Sequence, residues 1–362
     1  MDFTFSAEQD ELRRTLRGFL ADRSPRDYVR AMEDDPVGIT PDVWEQVVGL
    51  GLTGLLVPDT NGGVGGGLVD VVVVMEEMGR VPFPGPYFSS AVFATLAARR
   101  LGLDDLLASL AAGDTRGTVA LEETGASDPV GRVRTRAIRK SGRWRLTGLK
   151  PVVLDGHTAD WALVVARTEQ GIGTFRIEAP TGELVPAWDV TRKVARLPLE
   201  SRDAEPVGPD GDHTALWRRI VDDANIATCA ELVGAMEAAN DIAVEYAKAR
   251  VQFDRPIATF QVIKHKAADM LHRLELARVG THYAAWASDA DDRVREEAAA
   301  MAKAYVAEAA GFVTSECIQI HGGVGFTWDC DAHRYYRKAK QADLLLGYQG
   351  YQRQRLADLV LG

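Results

Sequence analysis

The 362-residue sequence is poor in cysteine: Cys229, Cys317 and Cys330 are the only three. An odd number without metal-type spacing argues against a disulfide framework and a zinc knuckle. It suits free thiols in a reducing cytoplasm, where small buried residues are the plain reading. Positive charge is also short, with 42 Lys+Arg against 52 Asp+Glu and a formal net charge of −10. That balance disfavours nucleic acid and an anionic membrane surface as partners. No apolar run approaches the ~20 residues that span a bilayer. The opening MDFTFSAEQDELRR is charged too early for a secretory leader, so a cytoplasmic protein without membrane insertion is expected. No glycine-rich stretch continues as GxxxxGK[ST].

What remains is ordinary globular composition, 46% hydrophobic and 26% charged, at a length that favours two or three domains. The first ~115 residues read as helical. Ser6 followed three residues later by Gln9 is a capping-box pattern ahead of Leu12, Leu16 and Phe19. The glycine-rich loop Gly62 to Gly67 reads as a connector or as a phosphate cradle, and VPFPGPYF (81–88) as a proline-rich turn. From 116 the period changes to two. GRWRLTGLKPVV, WALVVAR and GTFRIEAP alternate and are separated by turn residues, which predicts a small barrel or sandwich. RDAEPVGPDGDH (202–213) reads as a linker. After 214 the helical pattern returns, with Ile226, Ala230, Val233 and Met236 in register and an alanine-rich helix through EEAAAMAKAYVAEAAGFVTSECIQI.

Two stretches carry chemistry. In ARVQFDRPIATFQVIKHKAADM (249–270), Pro256 breaks the helix, so Phe253 to Ala258 is a connecting loop. Arg250 closes one helix and Gln261 opens the next. An arginine, an aromatic ring and an amide near a turn suit a phosphate and an aromatic heterocycle, or simply a helix hairpin with a terminal cation. In CIQIHGGVGF (317–326), Gly322 and Gly323 let a diphosphate approach the backbone. This stretch follows no strand and has no acidic residue ~20 positions on in a βαβ unit, so it is not a dinucleotide fingerprint of the Rossmann kind. His321 and His333 lack a third ligand at metal spacing and read as structural histidines.

Taken in order, FSAEQDELRRTLRGFL, PDTNGGVGGGLVDVVVVMEEMGR, RVQFDRPIATFQVIKHKAADM, QIHGGVGF and YYRKAK resemble the acyl-CoA dehydrogenase family over nearly the whole chain. The resemblance implies an α+β, mainly helical fold. It comprises an N-terminal helical domain (1–115), a middle β-barrel or sandwich domain (116–213) and a C-terminal four-helix bundle (214–362). It implies FAD as cofactor, an acyl-CoA substrate, an electron-transfer acceptor and a tetrameric assembly. In the family a glutamate removes the α-proton while the β-hydrogen leaves as hydride to the flavin. The R-x-x-F and FQ positions assign Arg250, Phe253 and Gln261 to FAD contact. QxxGGxG assigns Gln319, Gly322 and Gly323. In the family these contacts reach a neighbouring subunit's flavin.

The sequence departs from the family where a subunit holds and uses its own flavin. The two places of the catalytic glutamate align with Leu346 (or Gln349, if shifted) and with Ala224. The TEPxAGSD loop is reduced to EETGASDP (122–129), and the tryptophan of K-x-W-I-T/S is Val152 in KPVVLDG. The pattern implies a non-catalytic subunit of a hetero-oligomeric, α2β2 acyl-CoA dehydrogenase, completing the FAD site of a second acyl-CoA dehydrogenase-like chain. Some bacterial members built this way act on steroid side-chain thioesters. Two alternatives stay open. One is an independent dehydrogenase, as a homo-oligomer, with a relocated base at Glu231, two helical turns or ~10 Å from Ala224. The other is a flavin-free CoA-thioester binding or scaffold protein.

Overall fold

The computed structural model of the chain describes residues 5–123 and 127–362. Residues 124–126 of EETGASDP lie outside the described residues, so that departure is not tested structurally. The element order is helices, strands, then longer helices, as the periodicity predicts. The first six α-helices are α1 (Ala7–Arg23), α2 (Arg26–Asp34), α3 (Pro41–Gly49), α4 (Leu68–Arg80), α5 (Thr95–Leu101) and α6 (Asp104–Ala112). The capping box of α1 forms: Gln9 N donates to Ser6 Oγ at 3.2 Å and Ser6 N donates to Gln9 Oε1 at 3.0 Å. Those two bonds satisfy amides that the first helical turn leaves without partners. Within 81–88 the turn ends at Pro86. Tyr87–Ala94 then winds as a buried π-helix that runs into α5.

Strands β1 (Gly117–Ala120), β2 (Arg136–Lys140), β3 (Arg143–Leu154), β4 (Trp161–Thr168), β5 (Gly171–Glu178), β6 (Glu183–Val185) and β7 (Val194–Val207) form one sheet. The pairings β4–β2–β3–β7–β5–β4 close a ring, so the barrel alternative holds. Leu146, Ala162, Val164, Ala166, Phe175, Leu197 and Leu199 fill its interior. Closure removes the free edge that a small sheet otherwise exposes. The linker expected at 202–213 begins later. Residues 202–207 continue β7, with Asp203 paired to Arg145 and Pro206 to Phe175. The proline and charges in RDAEPV are tolerated because this part of the strand is mostly solvent-exposed.

The remaining helices are α7 (Thr214–Ala249), α8 (Gln261–Asp289), α9 (Arg295–His321), α10 (Ala332–Leu344) and α11 (Gln349–Leu361). Between α7 and α8, strands β8 (Val251–Gln252) and β9 (Arg255–Pro256) make a small hairpin where a plain loop was expected. The chain divides into two compact units. One comprises Met1–Arg26, Val72–Phe83 and Ile226–Gly362. The other comprises Asp27–Val71 and Pro84–Asn225.

Within the first unit, α4 and α7 touch backbone to backbone. A Cβ on Gly79 would lie 2.0 Å from the Glu231 carbonyl, and one on Gly234 1.8 Å from that of Glu76. Glycine is required at both positions by this approach. Around it, two buried carboxylates are paired with partly exposed cations. Glu76 meets Arg13 at 2.9 Å and His282 Nε2 at 3.0 Å, and Glu77 meets Arg17 at 2.7 Å. In the other unit, the Gly62–Gly67 loop is a connector. Gly65 N and Gly66 N donate to Val57 O and Leu55 O, each at 2.8 Å, so those amides are spent inside the protein.

Candidate functional site

One end of the helical unit gathers the sequence-predicted contacts. Arg250 follows the last residue of α7. Its N–H donates to Tyr246 O at 2.8 Å and its carbonyl accepts from Ile257 N at 2.8 Å, which closes the β8–β9 hairpin. The two turn residues, Phe253 and Asp254, have φ of 54° and 61°. A two-residue turn with both central residues left-handed is the hairpin geometry usually given to Asn-Gly. A phenylalanine there costs about 1–2 kcal/mol relative to an ordinary conformation. The ring is nevertheless 85% exposed, with one edge-on contact to Phe260 at 6.1 Å.

Gln261 opens α8 and Gln319 lies two residues before the end of α9. Near these helix ends, Lys266 of α8 is ion-paired with Glu316 of α9. Tyr246 of α7 stacks on His321 of α9 at 4.4 Å. These two contacts hold the three helix ends, and all six predicted residues, at one end of the unit. His321 is structural: its Nδ1 lies 2.8 Å from the Cys317 carbonyl under the Tyr246 ring.

The six residues have polar or aromatic groups left over. Arg250 makes no ion pair, and the side-chain amides of Gln261 and Gln319 no hydrogen bond, among the described residues. Gly322 has φ 63° and ψ −143°, a conformation that favours glycine. A Cβ built on Gly322 or Gly323 would meet nothing within 4 Å. The contrast with Gly63, whose Cβ would strike Val57 O at 2.1 Å, is direct. The glycines at 322 and 323 face open space, where an external group can reach the backbone.

The expected base positions are closed. Leu346 is buried in the turn between α10 and α11, at φ 56°, with its carbonyl accepting from Gln352 Nε2 at 3.4 Å. Gln349 binds Asp343 through its backbone N–H at 3.0 Å and its amide at 3.1 Å. Asp343, the nearest acid in sequence, is thus engaged at the start of α11. Ala224 is fully buried in α7, and its neighbour Asp223 is held by Arg100 at 2.6 Å. Glu231 is also enclosed, its carboxylate 2.9 Å from Lys338 Nζ.

A second buried pair escaped the sequence reading. Lys150, the first residue of KPVVLDG, is fully buried and donates to Glu123 Oε1 at 2.6 Å and to Leu121 O at 3.0 Å. Burial drives the Lys150 ammonium down to about 8 even against the opposing pull of Glu123. Burial acts to raise the Glu123 carboxyl. The Lys150 charge and the Thr135 amide outweigh it and leave Glu123 below its ordinary range. The only signal in sequence was that both stretches depart from the family pattern; their 27-residue separation carried none.

Residues 6–104 match the model of the acyl-CoA dehydrogenase N-terminal domain and residues 216–361 that of the C-terminal domain. The chain is 30% identical over 355 residues to acyl-CoA dehydrogenase IpdE2 of Mycolicibacterium smegmatis, covering 97% of this chain and 98% of that protein. Among solved structures it is similar to the Tcur3481-Tcur3483 steroid ACAD, G363A variant. The TM-score is 0.87, the identity 32%, and 98% of each chain is covered. It is also similar to the ChsE4-ChsE5 complex of Mycobacterium tuberculosis, with TM-score 0.90, 27% identity and coverage of 100% and 99%. In sequence, order of elements and fold, the chain belongs to the acyl-CoA dehydrogenase family.

Proposed function

We propose that this chain is the non-catalytic subunit of an FAD-dependent, hetero-oligomeric acyl-CoA dehydrogenase. It completes the flavin site of a second acyl-CoA dehydrogenase-like subunit, in an α2β2 assembly. One combined observation carries the reading. The residues that would grip an external flavin nucleotide are exposed and uncommitted, whereas both positions of the family's base hold buried, non-ionisable side chains.

The residues present fit FAD. The open backbone at Gly322 and Gly323 suits a diphosphate, Arg250 supplies the charge, and Gln261 and Gln319 offer amide donors. The strained, exposed Phe253 ring suits an aromatic face, since backbone strain of this kind is kept where a ligand uses it. When bound, FAD supplies the hydride acceptor for α,β-desaturation of an acyl-CoA. This chain's part is to bind and orient. Arg250 offsets diphosphate charge that a chain of net charge −10 otherwise disfavours. Lys266–Glu316 and Tyr246–His321 fix the helix ends that carry these residues, so little backbone ordering entropy is lost on binding. No proton is moved by Leu346 or Ala224, and Glu231 is committed to Lys338, which argues against a relocated base.

The likeness to a steroid ACAD and to a two-component complex supports a steroid-derived acyl-CoA as substrate class and an unlike partner. The location proposed is the cytoplasm; among the described residues no helix is long and apolar enough to cross a membrane. Expression of the chain alone and together with its second subunit tests the reading. The expected outcome is little bound flavin and no turnover alone, and both on co-expression. Full flavin occupancy with turnover in the isolated chain would overturn it.

A further inference from the structure

The five residues after the glycine pair carry three exposed apolar side chains. Val324 is 51% exposed, Phe326 73% and Trp328 62%. They alternate, two residues apart. The indole is exposed yet held in place. Arg334 lies 5.8 Å and Arg337 5.4 Å from its ring, and His333 meets it edge-on at 4.9 Å. Arg334 also donates to the Trp328 carbonyl at 3.4 Å and pairs with Asp331 at 2.9 Å, and Asp331 pairs with Arg26 at 2.8 Å. Arg337 has no carboxylate partner among the described residues.

We infer that Val324, Phe326, Trp328 and Arg337 form the anchor by which this chain holds its partner subunit, against an apolar strip of that subunit carrying a carboxylate for Arg337. The inference rests on the reading that Gly322 and Gly323 serve a flavin held by a second chain. If they do, that chain lies against the residues that follow within a few positions. Three large apolar groups exceed what one nucleotide base covers, so a protein surface is favoured over the adenine end of a dinucleotide. Tryptophan and arginine dominate the energetics of protein interfaces, and a side chain fixed before binding loses little entropy there. Arg337 supplies the charge complementarity: an unpaired guanidinium stacked on an indole accepts a carboxylate without disturbing a bond inside this chain.

The test uses the second subunit purified with the native chain and then expressed separately. Its dissociation constant for the full-length chain is measured by sedimentation or interferometry, and flavin content is measured in parallel. Trp328→Ala is expected to weaken association at least about tenfold, with most of the loss recovered in Trp328→Phe. Arg337→Glu is expected to weaken it as well, and helical circular dichroism is expected to stay unchanged in all three. Phe326→Ala is a second probe should Trp328→Ala fold poorly. An unchanged dissociation constant in Trp328→Ala or Phe326→Ala overturns the anchor. So does flavin loss without weakened association, which would make the surface nucleotide-facing. Weakened self-association of this chain in place of hetero-association would overturn the choice of partner. Arg250→Ala separates the two readings. Retained flavin in Arg250→Ala, beside lost assembly in Trp328→Ala, would sink the cofactor reading and leave the anchor standing.

Discussion

Two sets of charged side chains in this molecule are built in opposite ways. Arg250 and Arg337 lie near an exposed bundle end and have no carboxylate partner among the described residues. Lys150 and Lys338 are buried and each holds a glutamate, at 2.6 and 2.9 Å. A charge paired inside the protein is part of its structure. A charge that the fold leaves unpaired at an exposed, rigid site is available to something else. The same division runs through the glycines. Gly63, Gly79 and Gly234 are required by the protein's own backbone, whereas Gly322 and Gly323 face open space. In an enzyme that holds and uses its own flavin, the positions of Leu346 or Ala224 would carry an uncommitted carboxylate. Here Leu346 and Ala224 carry no carboxylate, and the uncommitted charges among the residues compared are Arg250 and Arg337.

The comparison breaks most visibly at Glu231. Glu231→Ala removes the carboxylate that faces the buried Lys338 ammonium and is expected to cost about 3–5 kcal/mol in urea unfolding. The double variant Glu231→Leu with Lys338→Met should recover much of that loss. If Glu231 were instead a base, Glu231→Gln would abolish turnover of an active preparation. Arg250→Ala should show the reverse pattern: unchanged unfolding, and retention of FAD by the assembled complex weakened roughly ten- to a hundredfold, the range for a bond to a charged group. Phe253→Gly sharpens the contrast further. Relieving the left-handed φ should leave unfolding stability unchanged or raise it by up to about 1 kcal/mol, while FAD retention falls.

The smallest expected effect is the pH response of the Lys150–Glu123 pair. The Glu123 carboxyl sits below its ordinary 4.5 in the folded protein. Its stabilisation is therefore present above pH 4.5 and is lost as pH falls through the lower folded value. Unfolding followed from pH 7 downward should lose stability in that window, and Glu123→Gln should flatten the slope. Lys150 acts in the same sense, in a higher pH window. Its value of about 8 lies below the ordinary 10.5, so its own contribution rises with pH between those two values.

Much of this was legible in the sequence because it is local or periodic. The Ser6–Gln9 capping box, the change of period near 116 and the long helix through 295–321 are written within a few turns of chain. The hairpin at 251–256 was not, since two-residue strands have no period and Phe253-Asp254 carries no glycine or asparagine to signal its turn. The extension of β7 through RDAEPV was hidden by residues that usually mark loops, and only its pairing with β3 and β5 makes it a strand. For the site, motif order marked the residues from 250 to 261 and from 319 to 323. Whether a residue is spent or spare was not readable, because Glu231–Lys338 and Glu123–Lys150 close over 107 and 27 residues.

The stoichiometry of flavin in the purified native complex tests the central claim most directly. If this chain completes a site without owning one, the complex holds one FAD for each pair of unlike chains. One FAD for every chain, with this chain's own site filled, would contradict it.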